Sequence, residues 1–599
     1  MRVFPVWMLA AFAAAFLFGC SDGSSAPPSG GPQPPPQANT PTGLTGAAPT
    51  ASSVTLTWTG GSQFSLYRIY RNDVEIGTTT ALTFTDTGLT AVTAYRYYVR
   101  GEMSGGLSGA SNAVNVTTPN MLSHSLSTLL DPAMRSAMLV RDIAFDAAGN
   151  IYLTGGAFSA DFPTTPGAYD RTFATGGAST GSAGASDVFV MKFNRSGALV
   201  WSTLIGGPNY DRAYGVEIAP DGGVIVAGRA GEGYPTTPGV AQPAFAGDAN
   251  PNNLYGKQDG FISKLSADGS TLLWSTYFGE ARRGFIRDVG VDSANKVYIA
   301  GPFYGGLAHI TAGAVQSAPN GNSDLVYARL SADGAAVEYA TYLGGDEGAG
   351  KMAGPPSIIV TADRNVYLAV PESGDGAPTT PNAFQRNSAG AADFLLARFG
   401  PTDNLVYATY LGGSGVEDIE THNIAVDAAG RLAITGSSAS TDYPTRFDSY
   451  QPNFGGGSSD AVVSILSADG TSLAGSTYIG GTGNENTQGV KFGPDGLLYV
   501  SGESSSASLR TTSNAVQKSR AGGVDAILIA LLPSLKGAPY LSYLGGSGDD
   551  FARALDIADD GAVGVAVNTQ SSNFPLSAGG SSAPNPGGAQ TGILSLFTP

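Results

Sequence analysis

Six polar residues, Asp142, Glu217, Asp288, Asn423, Lys491 and Asp556, stand near the ends of short apolar runs, where sibling runs carry small residues. Two carboxylates about 5 to 10 Å apart can act as general acid and base on a glycosidic bond, so this set is a candidate for acid–base chemistry. The plainer reading is the polar lining of a water-filled channel. A second set lies in AGDANPNNLYGKQ (246–258), where Asp248, Asn250, Asn252, Asn253, Tyr255 and Lys257 mix hydrogen-bonding groups with one aromatic ring. That mixture suits a sugar, whose hydroxyls need polar partners and whose ring face stacks on an aromatic. A surface loop with no ligand has the same composition.

Other chemistry is poorly represented. His124, His309 and His422 lie far apart, with no His or Cys neighbour at metal-ligand spacing. GASTG (177–181) has the letters of a nucleophile elbow but sits in a Gly/Ser/Ala stretch rather than between a strand and a helix. No phosphate-binding loop or dinucleotide fingerprint follows a strand. Glu280, Asp346, Glu347, Glu417, Asp418, Asp549 and Asp550 enrich one class of connection in acid. Weak Ca²⁺ binding stays open there, without EF-hand spacing, and no cofactor is expected.

The elements that must position these residues are read from composition and repetition. The chain has 599 residues, a net charge of −17, 13% charged residues and 84 glycines. Glycine at that level, with Thr, Val and Tyr, favours short strands and tight turns. The acidic balance and the lack of a basic cluster argue against nucleic acid as a partner.

The first twenty residues, MRVFPVWMLAAFAAAFLFGC, hold one basic residue and an apolar run short of a membrane span, and they read as an export signal. Leu17-Phe18-Gly19-Cys20 resembles the bacterial lipoprotein signal. The resemblance implies that Cys20 carries a lipid and that the protein attaches to a membrane, with Ser21 implying the outer membrane. Residues 21–40 have linker composition and reach at most about 60 to 70 Å. Cys20 is the single cysteine, so no disulfide is expected within the chain.

Residues 41–118 show strand signals at SVTLTW (53–58), LYRIYRN (66–72), LTFTD (82–86), AYRYYVRG (94–101) and NAVNVTT (112–118), the spacing of a β-sandwich. With Trp58 on an early strand and Leu89 six residues before Tyr95, the segment resembles a fibronectin type III domain. The resemblance implies a spacer.

From residue 122 onward one unit recurs. YATYLGG at 339–345 and 407–413 has looser copies at 201–207, 274–280, 475–481 and 541–546. Tight-turn positions follow an apolar strand at Gly149, Gly222, Asn295, Arg364, Gly430, Gly496 and Gly561, with intervals of 73, 73, 69, 66, 66 and 65 residues. An Asp stands just ahead of each, and its sliding position favours a role in the turn over a metal site. Four strands per long period is the pattern of a propeller blade. The last unit lacks its fourth strand, and an orphan copy, SLSTLLD (125–131), precedes the first, so the two chain ends are expected to close a ring. The repeated aromatics Phe162, Tyr234 and Tyr443 read as packing plugs rather than a sugar-stacking ladder. The longest connections, 174–186 and 246–258, fall on the face expected to hold a ligand.

STYIGG (476–481), IAVDAAGRLAITG (424–436) and DFPTTPGAYD (161–170) resemble the bacterial seven-bladed propeller repeat known as SBBP, over about 480 residues. The expected fold is all-β: a signal (1–20), a tether (21–40), a fibronectin type III-like sandwich (41–118) and a seven-bladed β-propeller (122–599). The resemblance implies an exported bacterial protein and supplies no catalytic residues. Three functions stay open: a monomeric, lipid-anchored platform that binds a glycan or a surface protein, a polysaccharide-degrading enzyme using carboxylates such as Glu217 and Asp288, and a structural envelope protein.

Overall fold

The computed structural model describes residues 40–46, 53–89, 93–118, 122–133, 137–247, 253–320, 323–345, 354–577 and 590–599. No α-helix occurs among them. In the N-terminal region, strands Thr42–Gly46, Ser53–Thr59 and Thr83–Thr87 form one sheet. Val74–Thr79, Leu66–Arg71, Ala94–Met103 and Gly106–Ala110 form another, with Val114–Thr117 also on Ala94–Met103. Asn72 and Asp73, both at positive φ, make the two-residue turn that matches the twist of its hairpin. Val54, Leu56, Ile69, Tyr97 and Val99 are buried, and Trp58 meets Tyr67 edge-on at 5.5 Å.

The remaining described strands form seven antiparallel sheets, here I to VII, each with a four-strand order. Sheet I runs Met138–Phe145, Ile151–Ala157, Asp187–Phe193, Leu199–Ile205. The first strands of II, III and IV are Arg212–Ile218, Asp288–Val291 and Ser357–Val360. That of V is interrupted, as Glu417–Asp418 and Ile424–Val426. Those of VI and VII are Glu485–Phe492 and Asp550–Ile557. The fourth strand of VII is Ser123–Leu129, paired antiparallel with Thr591–Thr598, so the orphan copy does complete the last unit. Each first strand touches that of the next sheet, and VII touches I.

All seven expected turn positions have positive φ, including the non-glycines Asn295 and Arg364. The preceding aspartates serve these turns: Asp146, Asp292 and Asp427 accept the amides of Ala148, Ala294 and Ala429 at 2.9–3.0 Å.

Apolar burial runs between sheets. One cluster joins Val188 and Val190 of I to Val224 and Val226 of II, and the series ends with Ala554 and Leu594 of VII against Val140 and Leu153 of I. The recurring heptapeptide supplies much of this joint, as residues 407–413 show. The ring of Tyr407 lies where a Cβ on Gly470, in the last hairpin turn of the next sheet, would be 2.5 Å away. Thr409 Oγ1 donates to Gln385 O and Tyr410 Oη to Gly374 O, tying the strand to its own long connection. A Cβ on Gly412 would stand 2.4 Å from the Asp393 carboxylate, and Gly413 N donates to Glu417 at 3.0 Å. Five of the seven letters therefore have a specific packing or hydrogen-bonding role, and Ala408 and Leu411 are buried. Phe162, Tyr234 and Tyr443 are buried, and the Tyr234 and Tyr443 hydroxyls bond Ser263 and Ser464, so they pack the fold as plugs.

Candidate functional site

The interruption in the first strand of sheet V decides what happens where the first strands converge. His422 sits in that gap at φ +66°, a conformation that is strained for a residue with a Cβ. Its imidazole reaches two other sheets: Nε2 is 3.4 Å from Asp142 Oδ1 of sheet I, and Nδ1 is 3.4 Å from Asp288 Oδ1 of sheet III. Tyr214 O lies 3.1 Å from Nε2. The aspartates are held by backbone amides, Asp142 by Ile143 and Val216, Asp288 by Val289 and Ile358. Burial raises Asp142 to about 6 against the pull of His422. Burial alone would lower His422, but Asp142 and Asp288 overcome it and hold it at about 9. At neutral pH an imidazolium therefore lies between the Asp142 and Asp288 side chains.

Two positions further along in register, on the first strands of sheets II, VI and VII, lie Glu217, Lys491 and Asp556. Lys491 Nζ is 3.4 Å from Asp556 Oδ1, and Asp556 raises the ammonium pKa. Asp556 Oδ2 accepts from Phe145 N at 2.9 Å. Burial lifts Glu217 to about 8, with Lys491 pulling the other way, so it carries a proton at neutral pH. A cavity of about 170 Å³ is lined by Glu217, Asp288, His422 and Lys491, below the roughly 300–1,000 Å³ of ordinary ligand pockets. Asn423 is buried, its amide donating to Thr435 O and Thr487 O, so it joins sheets V and VI instead of lining this space. Asp142, Asp288, Glu217, Lys491 and Asp556 are brought together, mostly as each other's counter-ions.

The loop set is divided. Asp248, Asn250 and Asn252 lie outside the described residues, as do Cys20, Asp346 and Glu347. The side chains of Asn253 and Lys257 are exposed, while their backbones bind the other long connection: Ser182 N donates to Asn253 O, and Lys257 N to Ser179 Oγ at 2.9 Å. Tyr255 turns inward. Its ring is 4.9 Å from Tyr210, with the Arg212 and Arg229 guanidinium groups 5.4 and 4.6 Å from its centroid, within cation–π range.

Glu417 and Asp550 are buried and hold the Gly413 and Gly546 amides. Among the described residues no group of three His, Cys, Asp or Glu is placed to hold a metal ion. His422, Arg212 and Arg229 were not singled out from the sequence. A signal for His422 did exist, because it stands eight residues before the turn residue Gly430, as Arg141 does before Gly149.

No family model matches the chain. Exoglucanase B of Cellulomonas fimi is 40% identical over 122 residues, 19% of this chain and 11% of that protein. Poly(3-hydroxybutyrate) depolymerase of Ralstonia pickettii is 36% identical over 116 residues, 19% of this chain and 23% of that one. The chain thus spans about a tenth to a quarter of the length of these relatives. Among solved structures, a protein of unknown function from Dyadobacter fermentans aligns with 80% of this chain and 99% of its own, at 11% identity and a TM-score of 0.38.

Proposed function

We propose that the seven sheets are the blades of a seven-bladed β-propeller, closed by Ser123–Leu129, and that the chain is an exported, lipid-anchored surface protein whose propeller binds glycan without cleaving it. The observation that carries this reading is Tyr255. It comes from one of the two longest connections and meets Tyr210, Arg212 and Arg229, the aromatic and hydrogen-bonding partners a sugar needs. The two relatives act, by name, on a glucan and on a polyester, and the matched stretches are 122 and 116 residues. The two sheets and the buried Val54, Leu56, Ile69, Tyr97 and Val99 support reading residues 41–118 as a fibronectin type III-like spacer. Export and membrane attachment rest on the segment ending at Cys20.

A second reading, hydrolysis, rests on Glu217, a protonated carboxyl beside a cavity. The size of that cavity and the engagement of Asp142, Asp288 and Asp556 with cations and amides oppose it. Incubating the full chain with a panel of plant and bacterial polysaccharides, and reading retained and released sugar by mass spectrometry, tests both. Retention of intact polymer that Tyr255→Ala weakens is expected. Released oligosaccharides, abolished by Glu217→Gln, would replace the platform with an enzyme.

A further inference from the structure

One residue ahead of the aspartate tier, the first strands of sheets I, II, VI and VII each step out of register, at Arg141, Tyr214, Gln488 and Arg553. A bulge of this kind re-aims one side chain. Arg287 holds the same place before Asp288 in sheet III, eight residues ahead of its turn residue.

The result is a gathering of positive charge around one phenol. Arg287, Arg212, Arg229 and Arg141 lie 4.1, 4.8, 5.2 and 5.6 Å from the Tyr214 ring centroid. Burial would raise the Tyr214 phenol, but Arg212, Arg229, Arg287 and Arg141 draw it down to about 6. The acids facing the cluster are few. Glu420 pairs with Arg287 at 2.7 Å, and Glu503, raised to about 7 by burial, accepts from Gln488, which in turn accepts from Arg553 at 3.0 Å. Arg229 is 3% exposed, yet its Nε and Nη1 have no hydrogen-bond partner in the protein. Arg141, Arg212, Arg287 and Arg553 each keep a buried Nε unpartnered as well. Buried charged donors left without acceptors are destabilising, and here they are concentrated in a chain of net charge −17. Such a cluster is arranged for an acceptor from outside.

We propose that this arginine cluster takes the carboxylate of an acidic polysaccharide, a uronate residue, while Tyr255 stacks on a neighbouring sugar ring. This rests on the glycan-platform reading and names its ligand class. Guanidinium groups offer paired donors that match a carboxylate. Arg287 Nη2 already donates to the Glu420 carboxylate at 2.7 Å, whereas a dianion such as phosphate would be repelled by Glu420. The half-exposed Tyr255 ring, against Arg212 and Arg229, supplies the apolar platform beside the charge.

The test is calorimetry on the full chain with tetramers of galacturonate, mannuronate and glucuronate, the methyl ester of the galacturonate tetramer, cellotetraose and inorganic phosphate. At least one uronate tetramer should bind, and the esterified galacturonate should show no comparable affinity. Affinity should fall as salt rises. An Arg141→Gln/Arg553→Gln double variant should lose at least tenfold, with its melting temperature little changed. Tyr255→Ala should lose affinity too, and it keeps the idea falsifiable if the double variant does not fold. Binding of cellotetraose without any uronate, or full uronate affinity in the folded double variant, would overturn the inference and leave the platform standing. Phosphate binding alone would also overturn it. If none of the sugars binds and no member of the wider polysaccharide panel is retained, the platform itself falls.

Discussion

Two tiers of side chains, gathered where the first strands of the seven sheets meet, have opposite fates. In one, Asp142 and Asp288 share His422, and Lys491 holds Asp556, so charge is neutralised inside the protein. In the other, Arg141, Arg212, Arg229 and Arg287 surround Tyr214 with several donors unsatisfied. The contrast separates charge that builds a fold from charge held ready for a ligand. A buried ion group whose members satisfy one another is an internal brace, and one that leaves donors empty is retained at a cost to stability.

The largest expected effect comes from removing the strand that closes both tiers. Deleting 123–129 exposes Thr591–Thr598 as an unpaired edge. The variant should oligomerise or lose its cooperative melt by light scattering and calorimetry, and a monomer with an unchanged melting curve would break the account of closure. Next is the brace itself. His422→Ala leaves Asp142 and Asp288 buried without their cation, a loss of about 3 to 5 kcal/mol by the usual behaviour of broken buried pairs, to be read by urea unfolding. A loss below about 1 kcal/mol would mean that the backbone amides alone hold the aspartates.

The same tier predicts a pH dependence. Asp142, Glu217 and His422 have folded-state pKa values of about 6, 8 and 9, each above its ordinary value. The folded chain therefore binds more protons than the unfolded chain, first from about pH 4 to 8 through the carboxyls and then from about 6.5 to 9 through the imidazole. Stability falls as pH rises through those windows, on the order of 6 kcal/mol between pH 6 and 9 from these three groups together. Melting temperatures across that range should decline, and His422→Asn should flatten the upper part of the decline.

The smallest effects sharpen the contrast most. Arg141→Gln removes a guanidinium pushed down to about 9 by burial and by Arg212 and Arg553. It should leave stability within about 1 kcal/mol, or raise it, while uronate binding drops. Glu217→Gln replaces a protonated carboxyl with an amide of the same shape and should change stability by under about 0.5 kcal/mol at pH 7. A destabilisation by Arg141→Gln comparable to that of His422→Ala would erase the distinction between the tiers.

Much of the fold was legible because its determinants are local. The turn at 149, the strand at 142–145 and the YATYLGG strand were all readable from spacing and residue type, and Asn295 and Arg364 were placed as turn residues through register even though neither is glycine. The site was less legible. Tyr255 is a candidate by its chemistry, yet its partners come from elsewhere in the chain, Tyr210 from another connection and Arg229 from a strand. His422 has no metal-spaced neighbour in sequence to mark it, and Asn423 shares a register position with residues it does not face.

Repetition, turn chemistry and alternating burial were therefore determined by the sequence itself, since backbone conformation at Gly149 or Asn295 and the pairing of adjacent strands depend on residues within a few positions of one another. The meeting of Asp142, Asp288 and His422, and the convergence of Arg141, Arg212 and Arg287 on Tyr214, were decided only by the tertiary structure. Residues up to 280 positions apart become neighbours because the first strands converge, and a bulge or an interrupted strand then turns one side chain from its own sheet toward the others.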